Sequence, residues 1–390
     1  MEIGFYFQPL EYSNEDFSKS QLGSTTQFHT EDFQPELIEA KPSIVLIGVQ
    51  EERGAVNNQG CSTGPDVIRK WLYQLHRLPY FDMPIIDLGN ILEGDSIDDS
   101  YHAVSAVSSY LLKRDHIPVL IGGSQDLTYA NYLAYEDLEQ VINLLTVDRK
   151  FDLGESLQSD LSSDTFLSKI LLHQPNFLFN YTNIAYQSYF VAEDTMDLID
   201  KLYFDHQRLG AIREDIKKVE PLMRNVDVVS FDISAVKNSD APGCGNSTPN
   251  GLTGDEACRI IRYAGISDKV SSIGFYEYNA FEDPNQQTAQ LIAQLIWYFV
   301  EGVNSRKKDI PSEGDKNYVR YRVHVSHEEE DLIFFKSLKS DRWWMKVPFP
   351  GKKSNTYKRH QLVPCSYDDY TEACQDQVPE LWFKTYQKFL

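Results

Sequence analysis

The sequence predicts an α/β protein: a three-layer α/β/α domain on a mainly parallel sheet, followed by a small α+β extension. Three observations carry this reading. Between residues 43 and 305 short, continuous apolar runs alternate with helix-like segments, several runs end in acidic or polar clusters, and after residue 306 the rhythm changes to strict alternation. Strands apolar on both faces are strands covered on both faces, as in a parallel sheet lying between helices.

In chain order, residues 1–42 precede the first strand as an N-terminal extension. Apolar runs then predict strands over Ser43–Gly48 (SIVLIG), Ile85–Leu88, Ile117–Gly122, Val141–Val147, Asn183–Tyr186, Asp227–Asp232 and Val270–Tyr276. Helical periodicity lies between them at Gly64–Gln74, Tyr101–Arg114 and Gly254–Tyr263. Asn304–Lys316 (NSRKKDIPSEGDK) mixes Pro, Gly, Ser and charge and reads as a connector, so the main domain spans 43–305 and the extension 306–390. In the extension, YVRYRVHV (318–325) puts Val319, Tyr321, Val323 and Val325 on one face of a half-buried strand. The polar SHEEED then leads into LIFFKSL as a β-hairpin, and PELWFKTYQKFL closes the chain as a helix. Trp343 and Trp344, with Phe334 and Phe335, are expected to form the extension's core or its seam with the main domain.

Composition narrows the partners. A chain 42% hydrophobic and 13% aromatic can bury a core, which excludes disorder as the main state. The net charge is −21, unevenly spread: residues 306–390 hold 16 Lys/Arg and 13 Asp/Glu, a balance of +3, leaving −24 for residues 1–305. Such acidity argues against nucleic acid and anionic membrane as partners, since both select a basic face. No run approaches the ~18 apolar residues of a membrane span, and no basic start followed by an apolar stretch opens the sequence, so no membrane insertion is expected. The cysteines at 61, 244, 258, 365 and 374 form no C-x-x-C pair, which suits a reducing, cytoplasmic setting. Neither G-x-S-x-G nor G-x-x-x-x-G-K-[ST] occurs.

In open α/β sheets ligands sit beyond the carboxyl ends of strands. Four polar clusters fall there: GGSQD (Gly122–Asp126), VDRKFD (Val147–Asp152), SFDIS (Ser230–Ser234) and YEYN (Tyr276–Asn279). One acid in such a place most simply caps a helix or sits in a loop. Asp148, Asp152, Asp232 and Glu277 at one rim require a cation, or else some of them hold protons.

The order of these motifs, with APGCGNSTPNGLT at Ala241–Thr253 between the last two, resembles the ureohydrolase family: arginase, agmatinase and formimidoylglutamase. The likeness runs from about Ser43 to Val303. It includes GVQEERGAVNNQGCSTGPDVIRKWL near the start, and IAYQSYF at Ile184–Phe190 is similar to formimidoylglutamase. The resemblance implies an arginase-like fold and a manganese pair held by the His of GG-x-H, by the two acids and the His of D-x-H-x-D, and by both acids of D-x-D. At those positions this chain has Gln125 for the first His, Lys150 between Asp148 and Asp152 for the second, and Ser234 for the acid that follows Asp232. Half of the implied ligand positions are therefore changed.

A protonated lysine has no lone pair to give a metal. The expectation is that the Lys150 ammonium stands where the second ion would, satisfying Asp148 and Asp232. No cofactor is expected, and at most one ion at Asp148, Asp152 and Asp232, with Gln125 adding a carbonyl oxygen. Glu277 occupies the position of an acid that meets the substrate's cationic nitrogen; it either keeps a ligand-binding role or forms a salt bridge to a basic neighbour. Without paired metals to supply hydroxide near neutral pH, hydrolysis lacks its nucleophile. The main reading is thus a non-catalytic pseudoenzyme serving as a scaffold or partner-binding subunit. The alternative is an active hydrolase of guanidino or formimino C–N bonds with an altered centre, the one case in which dinuclear manganese is expected. A third, weaker reading is a sensor that binds a guanidino or amino-acid ligand in the old pocket without turning it over. The resemblance also implies a homo-oligomer, with the C-terminal extension as a surface for a protein partner.

Overall fold

Residues 3–31, 41–154, 159–311, 316–326, 330–349 and 357–390 are described by the computed structural model. Alternate side chains of the central strands feed opposite layers. In β3 (Ile44–Val49), Ile44 and Leu46 join a core with α1 (Gly64–Leu72), while Val45, Ile47 and Val49 join another with α2 (Ile97–Leu112) and α3 (Leu127–Leu133). The α2 face of the sheet continues into a core with α4 (Phe166–Leu172) and α5 (Glu193–Lys201). The α1 face is covered by α6 (Leu209–Glu214), α7 (Val219–Arg224), α8 (Gly254–Ile266) and α9 (Gln287–Asn304). Both faces of every central strand are buried, as the apolar runs require.

The remaining strands of this sheet are β1 (Phe7–Gln8), β2 (Gln27–Phe28), β4 (Ile85–Ile91), β5 (Ile117–Gly122), β6 (Ile142–Val147), β7 (Leu178–Tyr186), β8 (Asp205–Arg208), β9 (Val228–Asp232) and β10 (Ser272–Tyr276). Their order is β1-β4-β3-β5-β10-β9-β6-β7-β8, with β2 also on β4. Pairing is parallel except for β1 against β4.

The structure adds detail to three parts of the sequence reading. The N-terminal extension, residues 1–42, packs on the main sheet, where β1 and β2 add to β4 and Phe28 packs with Tyr73 and Tyr12; residues 1–2 and 32–40 of that segment lie outside the described residues. Strand β7 begins at Leu178 rather than Asn183, since its polar residues Asn180 and Thr182 are buried and bonded inside the sheet. Strand β8 (DHQR) has no apolar signal because it is a short outer strand.

The C-terminal extension is more than a hairpin. Strands β11 (Tyr318–Val323) and β12 (Leu332–Ser337) pair antiparallel, and β13 (Trp343–Lys346) and β14 (Leu362–Cys365) continue the sheet. Helices α10 (Tyr367–Cys374) and α11 (Glu380–Phe389) follow. Residues 312–315 of the connector, 327–329 of the SHEEED turn and 350–356 lie outside the described residues. Trp343 and Trp344 are buried, the latter with the Arg224 guanidinium 4.7 Å from its ring centroid. The extension shares its core with Val141 and Phe179 of the main sheet, and the His360 ring stacks on Phe179 at 4.2 Å. Strand β11 is an outer strand carrying exposed Arg320 and Arg322, and Val319, expected inside, is exposed. No helix among the described residues is long and apolar enough to cross a membrane.

Candidate functional site

Register brings the acids together. The adjacent strands β10, β9 and β6 align Tyr276 with Asp232 and Phe231 with Val147, so Asp148, Asp232 and Glu277 leave neighbouring strand ends in step. The segment after β5 reaches the same rim through Gly123, where a Cβ would stand 1.8 Å from the Glu51 carbonyl oxygen; only glycine allows that approach. Asp148, Asp152, Asp232, Glu277 and Gln125 are all buried.

Each acid has its own company. Asp232 accepts from the Ser234 backbone N–H at 2.7 Å and from the Ser234 hydroxyl at 2.6 Å, so the residue that stands where a second acid is implied bonds once to each carboxylate oxygen. Glu277 sits at φ 67° and accepts from Asn58 Nδ2 at 2.7 Å and the Gln125 backbone N–H at 2.9 Å. Asp148 accepts from the Lys150 backbone N–H at 3.1 Å through Oδ1, while its Oδ2 and both Asp152 oxygens have no hydrogen-bond partner among the described residues. The Gln125 side chain donates through Nε2 to Ser230 Oγ at 3.2 Å.

Burial, then mutual charge, pushes these carboxyls up. Asp148 lies well above the ordinary carboxylate range through burial and the charge of Asp152. Burial raises Asp152 to about 6 against the pull of Lys150. Burial and Asp148 raise Asp232 to about 7 despite Ser234. Glu277 is raised by burial and by Asp232. Repelling acids without a central cation share protons near neutral pH.

The two flanking cations sit differently from expectation. The Lys150 ammonium is 2.5 Å from Asp164 and 3.3 Å from Asp152, so it does not satisfy Asp148 and Asp232. Burial alone would lower its pKa, but the charges of Asp152 and Asp164 outweigh that and hold it protonated. Asp164 was missed because it belongs to a loop with no strand before it. Arg149 lies over the Phe190 ring at 4.9 Å and its charge reaches Asp232. Glu277 makes no salt bridge among the described residues; neutral donors hold it instead, and Asn58, within the quoted GAVNNQG, had carried no assigned role. Asp126, the last residue of GGSQD, is buried and accepts from the Tyr101 hydroxyl at 2.5 Å.

These residues do not fit a two-manganese centre. Lys150 brings a positive charge and no lone pair, Ser234 brings a hydroxyl where an acid is implied, and the Gln125 amide nitrogen donates to Ser230. Among the described residues no group of three or more His, Cys, Asp or Glu is arranged to hold an ion.

Comparison with known proteins agrees with the architecture. The arginase family matches residues 42–301. A formimidoylglutamase of Staphylococcus haemolyticus is 27% identical over 281 residues, 68% of this chain and 88% of the relative. The crystal structure of Trypanosoma cruzi formiminoglutamase with manganese superposes with a TM-score of 0.63 at 20% identity, covering 71% of this chain and 97% of that one. Bacillus subtilis formimidoylglutamase gives 0.62 at 19% identity, covering 68% and 89%. A parallel sheet between two helical layers, the acid-ended central strands and a match over two-thirds of the sequence lead to one assignment: the chain belongs to the arginase family.

Proposed function

We propose that this chain keeps the ureohydrolase fold without paired-metal hydrolysis and serves as a scaffold or partner-binding subunit. The observation that carries the reading is the Lys150 ammonium, bound to Asp152 and Asp164 where a metal-binding histidine is implied. Hydrolysis of a guanidino or formimino carbon near neutral pH needs hydroxide, and a protonated amine cannot generate it as a metal pair does. On the same reading the protein works in the cytoplasm as a homo-oligomer that meets its partner through the C-terminal sheet.

A second reading, an active hydrolase of a guanidino or formimino C–N bond with an altered metal centre, is favoured by the names of the relatives. Asp148 Oδ2 and Asp152 Oδ2, which accept no hydrogen bond among the described residues, also favour it as acceptors for a cation.

Elemental analysis after manganese loading, together with assay of ammonia, urea and formamide release from a panel of guanidino and formimino compounds, separates the two. The first reading expects no bound manganese and no release, and expects the combined Gln125→His, Lys150→His and Ser234→Asp variant to gain manganese. Turnover by the unaltered, metal-loaded protein establishes the second reading and sinks the first. Mass in solution tests the oligomer.

A further inference from the structure

We propose that the free edge of β11 (Tyr318–Val323) is a docking site for an extended acidic peptide, which joins the four-stranded C-terminal sheet as an added strand. The proposal rests on the partner-binding reading above and names the chemistry of that partner.

Strand β11 is paired along its whole length, and on one side. It runs antiparallel to β12 from Tyr318 opposite Ser337 to Val323 opposite Leu332, and it stands last in the order of its sheet. Among the described residues, the backbone of Val319 to Val323 makes no hydrogen bond outside that ladder. Alternate N–H and C=O groups of an outer strand point away from its neighbour, so a second ladder is available to an incoming chain.

The side chains say what that chain carries. Arg320 and Arg322 stand on one face, both exposed, and the ion pairs of this hairpin, His324 with Asp331 and Lys336 with Asp341, leave both of them out. Across β12 they face half-buried Phe335 and Ile333, where no acid stands. The arginines of the seam differ, since Arg224 and Arg342 lie on Glu220 and Arg359 lies on Asp227. On the other face of β11, Tyr321 packs on Trp343 and Tyr370, its ring centroid 5.2 Å from each, while Val319 is 37% exposed. A strand laid beside β11 sets its residues directly opposite these. Carboxylates on the arginine face, alternating with apolar residues on the valine face, complete both, and arginine forks suit a carboxylate. The +3 balance of residues 306–390 favours the approach of such a chain, and a basic strand is disfavoured at the same positions.

Fluorescence anisotropy tests this, with the full chain titrated into a labelled peptide of alternating glutamate and valine about as long as β11. The peptide is expected to bind at least about tenfold more tightly than its lysine–valine counterpart, and more weakly as salt rises. Proline in place of its valines keeps the charge, removes backbone donors and is expected to weaken binding about tenfold. The double variant Arg320→Glu, Arg322→Glu, at exposed positions, is expected to bind the glutamate–valine peptide about tenfold more weakly and to prefer the lysine–valine one, a reversal that misfolding does not produce. Thermal denaturation checks that the variant is folded. No rise in anisotropy, equal binding of the two charged peptides, equal binding of the proline form, or an unchanged preference in the double variant overturns the proposal. Sedimentation with phosphatidylserine vesicles, or a mass in solution that falls in the double variant, would assign the edge to a membrane or to a second copy instead and overturn it equally. Turnover by the metal-loaded protein sinks the non-catalytic reading without altering these titrations, so the two failures are told apart.

Discussion

Asp148 accepts one hydrogen bond through Oδ1 and leaves Oδ2 bare, with Asp152 and Asp232 pressing charge against it. An amide in its place keeps the accepted bond, offers a donor to Asp152 and cannot ionise, so folding at neutral pH no longer has to hold a proton on this position. Asp148→Asn is therefore expected to stabilise the metal-free protein by about 1–2 kcal/mol, read from urea denaturation at neutral pH; a loss of stability would show that the charge is compensated in the fold. Lys269 gives a pH signature of its own. Its folded pKa of about 8, brought down by burial, lies below the ordinary lysine value of 10.5, so the folded state binds fewer protons between those values and stability rises with pH across that window. Relative to Lys269→Met, the wild-type denaturation midpoint is expected to climb from pH 8 to pH 10, and a constant difference would count against it. At this scale the sequence disclosed what lies at strand ends. Asp148, Asp152, Asp232 and Glu277 could be placed at one rim because apolar runs stop just before them. Asp164 and Asn58 are loop residues whose partners are distant in sequence, and no local pattern announces such pairs.

Gly123 shows how an element sets the site. It follows β5 and turns the chain toward Gln125 while passing against the Glu51 carbonyl, backbone to backbone, where no flexible side chain can yield. Gly123→Ala is expected to cost more than about 3 kcal/mol, seen as insoluble expression or a lowered melting temperature, whatever the fate of the chemistry. A variant that melts with the wild type would mean that the two segments part easily. Buried central strands were visible as unbroken apolar runs. Outer strands were not: β8 is polar, β1 and β2 have two residues each, and β14 hides a proline that pairs with Trp344. Short strands owe their conformation to a neighbour more than to their own composition.

Between the two sheets the contacts are structural as well as electrostatic. Val141 and Phe179 of the main sheet are buried in the extension's core, Arg359 holds Asp227, and Lys388 reaches Asn180 at 2.6 Å and Asp205 at 3.4 Å. Both parts are thus expected to melt as one unit, giving a single calorimetric transition with equal van't Hoff and calorimetric enthalpies. Two resolved transitions would show that the seam carries little of the stability. The alternation of apolar runs and helices was enough to give the layer order, because it reports burial directly. The intimacy of the seam was not legible, since charge balance marks a change of composition but not what packs against what.

The outermost ribbon of the C-terminal sheet has one further implication. Among the described residues no strand pairs with its outer side, a place where sideways growth by a matching ribbon could begin, and exposed Arg320 and Arg322 punctuate it. An identical molecule arriving there meets guanidinium with guanidinium, so fibrous stacking is opposed by like-charge repulsion while a strand of mixed or negative character is not.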